Sequence, residues 1–163
     1  MAINSYAKVN LFLKIGRKLN SGYHNIQSVM QKVELNDNIS IGPLDEDKIV
    51  VESTHPELSG EENLAYRAAL LLKKKYKVKQ GAKIHIEKNI PLEAGLGGGS
   101  SNAATALLSL NKMWGLRLKE KQLIELACQI GSDVPFFIGE SAAIVEGIGD
   151  KIRRIKKSFS INI

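Results

Sequence analysis

The chain predicts an α/β fold of the two-layer α+β kind, and three observations carry that prediction. Segments alternating apolar and polar residues crowd the first half, a glycine-rich stretch at 95–99 opens into an alanine-rich helical run, and 163 residues with 44% apolar content suffice for one sizeable core. No internal repeat or low-complexity linker divides it.

The first strand covers residues 3–15. Ile3, Ser5, Ala7, Val9, Leu11, Leu13 and Ile15 fall on a core-facing side, and Asn4, Tyr6, Lys8, Asn10, Phe12 and Lys14 on a more polar one. Residues 16–23 read as a turn or irregular loop, followed by strands at 27–35, 38–41 and 48–52. A helix at 62–76 buries Leu64, Ala68, Leu71 and Leu72, and a strand follows at 82–87. After the glycines, a helix at 102–110 carries Ala103, Leu107, Leu110 and then Trp114 on one stripe. A further helix at 119–130 turns Leu123, Leu126, Ala127 and Ile130 inward, and short strands at 142–146 and 151–155 flank Gly147 and Gly149. Residues 158–163 alternate like a strand just beginning. An exposed apolar strand end invites association, so the sequence is expected to be a piece of a longer chain.

The stretch from Pro91 through Gly95, Leu96, Gly97, Gly98, Gly99, Ser100 and Ser101 carries the strongest functional signal. Four glycines in five positions give up backbone entropy and packing, which suits a chain that turns sharply and approaches a ligand closely. A helix start presents unpaired amides and a positive dipole end to an anion, and the two serines add hydroxyls as caps, phosphate donors or a magnesium contact. No Gly-Lys-Ser/Thr follows, so this is not a P-loop. The dinucleotide fingerprint also fails, because Leu118 and Lys119 stand where its acid belongs. The alternative is a plain surface linker before a helix.

The formal charge of +6 gathers at 73–79 and 151–157. Such patches steer anionic substrates or attract nucleic acid. With four Tyr, four Phe and one Trp to stack on bases, no nucleic-acid partner is expected. No apolar run reaches the roughly 18–20 residues of a membrane span, and the N-terminus lacks a signal peptide's pattern, so no membrane partner and a cytoplasmic location are expected. Cys128, the single cysteine, sits on a helix flank, and His24, His55 and His85 lack zinc-ligand spacing.

Lys8 and Asn10 share a strand face about 6.5–7 Å apart. Lys8 is either an ordinary edge lysine or a fixed charge beside a transferring phosphate. Asp133, embedded in Gly131-Ser132-Asp133-Val134-Pro135-Phe136-Phe137, is either the cap of a short turn opened by Pro135 or a general base. Gly22-Tyr23-His24 is either a solvent loop or a place where a base edge is read and stacked upon.

Together, Ala7-Lys8-Val9-Asn10-Leu11-Phe12-Leu13, Gly22-Tyr23-His24, residues 91–104 and Ser132 to Phe137 resemble the GHMP kinase superfamily, and within it the members acting on a cytidine diphosphate alcohol. The resemblance implies a ribosomal-protein-S5-domain-2-like N-terminal domain that uses ATP and Mg2+, with a second, C-terminal domain closing the cleft in the longer protein. It implies Asp133 as base and Lys8 as its electrostatic partner. Asn10, Tyr23 and His24 would bind the acceptor, Asn63 and Leu64 would lie by adenine, and residues 95–101 would hold the phosphates, with Ser100 or Ser101 the only protein contact expected for magnesium.

Overall fold

Two long antiparallel strands, β1 (Ala2–Lys18) and β2 (His24–Leu44), carry the architecture of the computed structural model, which describes residues 2–19, 22, 24–139 and 141–155. Next come β3 (Ile49–Ser53), α1 (Leu64–Lys75), β4 (Gly81–Glu87), α2 (Gly98–Met113), α3 (Glu120–Ala127), α4 (Val134–Ile138), β5 (Ala142–Gly147) and β6 (Lys151–Arg154). The strands form one six-stranded sheet in the order β3-β4-β2-β5-β6, with β1 paired to β2. Among the described strands only β3 and β4 run parallel, and α1 connects them. β2 is the shared strand: residues 26–31 pair with β5, residues 38–44 pair with β4, and β1 follows most of its length.

The two-layer expectation holds. Ile39, Ile84, Ile86, Met30 and Val145 turn one sheet face towards Ala68 and Leu72 of α1, Leu107 and Leu110 of α2, Leu126 of α3 and Phe136 of α4 in one continuous core. Each fully buried Leu or Ile contributes about 1.5–3 kcal/mol relative to exposure. The opposite face carries Lys83, which pairs with Glu52 at 2.8 Å, and the exposed His85 and Glu87, so it faces water.

The structure departs from the sequence reading at several points. β1 continues through Gly16 to Lys18, where a loop is expected, and the strands expected at 27–35 and 38–41 are one. Leu35-Asn36-Asp37-Asn38 reads locally as a turn, but pairing on β1 and burial of Asp37 hold it extended. Helix α2 begins at Gly98 rather than 102, taking both later glycines and both serines into its first turn. The core face expected along β1 also fails at both ends: Ile3, Leu11, Leu13 and Ile15 are exposed, as is Phe12 on the other side, and none of them packs into the continuous core. A register shift between Tyr6 and Lys8 buries Ala7 and Lys8 together, where strict alternation would place them on opposite faces.

The strand expected at 158–163 lies outside the described residues. No described helix is long and apolar enough to cross a membrane.

Candidate active site

Lys8 enters the interior as a cation. Its side chain is 5% exposed, its Nζ lies 3.5 Å from Asp133 Oδ2, and it donates to Asn10 Oδ1 at 3.2 Å. Asp133 stands at the residue preceding α4, yet its side chain makes no capping hydrogen bond, and at 31% exposure its carboxylate still reaches solvent. The capping alternative is thereby excluded, and an acid facing both a buried cation and open space remains. Asn10 is exposed beside it. Residues distant in sequence therefore form one cluster.

The glycine loop is fastened to the same place. Lys8 N–H donates to Leu96 C=O at 2.9 Å, so β1 supplies a charge above the loop and a hydrogen bond to it. Gly97 precedes α2 at φ 70° and ψ 21°, and a Cβ there would stand 3.0 Å from both Lys8 Cγ and Phe137 Cζ. Ser101 N–H already donates to Gly97 C=O at 2.8 Å, which leaves the amides of Gly98, Gly99 and Ser100 as the first-turn donors the helix does not use. They lie at the positive end of a 16-residue helix. Replacing Gly97 by Ala is expected to cost about 1–2 kcal/mol from the left-handed backbone alone, measurable by denaturant unfolding, and to weaken anion binding at the loop.

The two serines divide in role. Ser101 is buried and its hydroxyl accepts from Ser5 at 2.8 Å, whereas Ser100 is only partly covered. Pro91 and Gly95 are exposed at the loop's entry, and Leu64 Cδ1 lies 3.6 Å from where a Cβ of Gly99 would be, so Leu64 borders the loop. Asn63 caps α1, accepting from Ala65 N–H at 2.8 Å and donating to Leu58 C=O at 2.7 Å. His24 opens β2 opposite Lys18, at the far end of the ribbon from Lys8, which pairs with Lys32. Tyr23 lies outside the described residues.

Sequence reasoning missed Lys32. This partly buried lysine donates to Phe137 C=O at 3.2 Å and Gly139 C=O at 2.9 Å, tying the end of Asp133's helix to the strand beside Lys8, and burial pushes its pKa down. Only the register opposite Lys8 marks it. Lys32→Met is expected to unfasten the end of α4 from β2, read as about tenfold faster hydrogen exchange of the amides at 136–139. Burial, and next the Asp150 carboxylate, raise the Cys128 thiol's pKa, which argues against a nucleophilic role.

Among the described residues no three His, Cys, Asp or Glu side chains gather as a metal site. The loop's amides and Ser100 suit a polyphosphate that brings its own cation.

Residues 63–141 match the model of the GHMP kinases N terminal domain. A 4-diphosphocytidyl-2-C-methyl-D-erythritol kinase of Caldicellulosiruptor saccharolyticus is 46% identical over 164 residues, covering 100% of this chain and 57% of that protein. A kinase of the same name from Clostridioides difficile is 46% identical over 94% of this chain and 52% of its own length. Among solved structures, a 4-(cytidine 5'-diphospho)-2C-methyl-D-erythritol kinase superposes with a TM-score of 0.80 at 35% identity, covering 95% of this chain and 55% of that one. Methanococcus jannaschii mevalonate kinase shares the fold, with a TM-score of 0.73 at 19% identity over 96% of this chain and 56% of its own. The chain spans about half the length of the curated relatives it matches.

Proposed function

Because this chain belongs to the GHMP kinase family, we propose that it is the ATP-binding, N-terminal portion of a kinase that phosphorylates the 2-hydroxyl of 4-diphosphocytidyl-2-C-methyl-D-erythritol, a step of non-mevalonate isoprenoid precursor synthesis. The observation that carries the reading is the approach of Asp133, before α4, to within 3.5 Å of Lys8, whose strand is hydrogen-bonded to the glycine loop. The names of the relatives above support this choice of acceptor.

In this reading the amides of Gly98, Gly99 and Ser100 receive the ATP phosphates, and Leu64 borders the adenine side. Asp133 accepts the proton of the acceptor's 2-hydroxyl as that oxygen bonds to the γ-phosphorus and the bond to the β-phosphate oxygen breaks, leaving the 2-phosphate and ADP. The Lys8 ammonium faces the negative charge spread over the phosphoryl oxygens in transfer. Ser100 would hold the Mg2+ that accompanies the nucleotide, which would supply charge neutralisation when bound. Asn10 holds the methylerythritol portion and His24 reads the cytosine, with Tyr23 helping to shape that pocket. Asn63 acts indirectly, fixing the helix that presents Leu64. A C-terminal GHMP domain, in the length the relatives have beyond this match, closes the cleft and excludes water.

The test is transfer of labelled γ-phosphate in the full-length protein. Phosphorylation of the cytidylyl alcohol, with mevalonate, homoserine and galactose untouched, is the expected result. Indifference to cytidine diphosphate compounds would overturn the acceptor assignment, and salt-sensitive RNA binding with no nucleotide binding would overturn the kinase reading altogether.

A further inference from the structure

Beneath the glycine loop lies a second ion pair that takes no part in the chemistry above. Asp37 is fully buried in β2, and four donors converge on its carboxylate. Oδ2 accepts from Lys88 Nζ at 2.6 Å and Asn102 Nδ2 at 2.8 Å, while Oδ1 accepts from the backbone N–H groups of Asn89 and Ile90, both at 2.8 Å. Lys88 is itself only 3% exposed. Asn102 also donates to Ser5 Oγ at 3.0 Å, and Ser5 to Ser101 Oγ at 2.8 Å.

The location of these donors is what matters. Residues 88–90 lead into the loop from the end of β4, and residues 101 and 102 lead out of it within the first turns of α2. One carboxylate thus holds both ends of the loop against the central strand. Lys88 also lies directly under the start of α2, for a Cβ on Gly98 would fall 2.9 Å from its Nζ. A buried ion pair adds little stability over a well-packed apolar pair, so geometry is the better account of its presence.

We propose that Asp37 is a positioning residue for the phosphate loop. By fixing the separation of residues 90 and 102, it holds the amides of Gly98, Gly99 and Ser100 aimed outward before any ligand arrives, so binding does not have to order them. The proposal rests on reading residues 95–101 as a phosphate site.

Asp37→Asn keeps the shape but sets an NH2 group against Lys88 and Asn102. Two measurements on the chain test it: hydrogen exchange of the amides at 96–101, and titration with the β,γ-imido analogue of ATP plus Mg2+. Expected are exchange at least about tenfold faster in the loop, with the later turns of α2 unchanged, and affinity weakened by about tenfold or more. In the full-length protein the nucleotide KM should rise similarly while the KM for the cytidylyl alcohol moves less than about twofold. Should Asp37→Asn fail to fold, Asn102→Ala removes one neutral donor and spares the ion pair, with faster loop exchange and about threefold weaker analogue binding expected. A folded variant with wild-type exchange and affinity overturns the brace and leaves the kinase reading intact. If the unsubstituted chain and protein bind no nucleotide although the substitutions speed loop exchange, the kinase reading falls and with it the ligand role of the brace.

Discussion

Replacing Asp133 by Asn is expected to lower turnover by about 10²- to 10⁴-fold, the range that loss of a positioned general base produces. Asparagine keeps the side chain's shape, and the carboxylate makes no capping hydrogen bond, so the start of α4 loses no cap. What disappears is the negative partner of Lys8 and, in the proposed mechanism, the acceptor for the hydroxyl proton. KM for ATP should stay within about twofold, because in the proposed reading the nucleotide rests on the loop's amides rather than on this carboxylate. Steady-state kinetics with labelled ATP decides the matter: a kcat within tenfold of the unsubstituted enzyme would remove Asp133 as base.

Lys8→Met is expected to lower kcat by about 10²- to 10³-fold, comparable to deleting one preorganised group that meets developing charge. Methionine fills the volume of the lysine stem packed near Gly97, and the backbone N–H to Leu96 C=O survives any substitution, so loop and strand stay joined. The loss is the ammonium between Asn10 and Asp133. Because the two side chains form one pair, the Lys8→Met/Asp133→Asn double variant should be far less impaired than the product of the single effects. Fully multiplicative effects would show that the groups act independently and would sink the paired mechanism.

Several features were readable before any coordinates because local chemistry dictates them. Gly97 needs a left-handed backbone and close neighbours, and a glycine cluster announces such a position. The interior faces of α1 and α3 repeat at helical spacing, so Ala68, Leu72, Leu123 and Leu126 are found where periodicity places them. The exposed Leu11, Leu13 and Ile15 were misread because alternation says which residues share a face, not where the covering helices stop. Asp37 was invisible for a related reason. Between two asparagines it resembles a turn residue, and nothing nearby in the chain hints at donors from residues 88–90 and 102.

By itself, then, the sequence determined which chemistry is available: a helix start stripped of side chains for an anion, a lysine and an asparagine on one strand, and an acid before a short apolar segment. Tertiary structure alone decided how these meet. A register shift buries Lys8 where alternation would not, α4 swings Asp133 to within 3.5 Å of it, and the loop ends are gathered on one buried carboxylate. The physical reason is range. Propensity and periodicity act over a few residues, whereas the direction of a buried charge is set by groups that only the folded sheet brings within hydrogen-bonding distance.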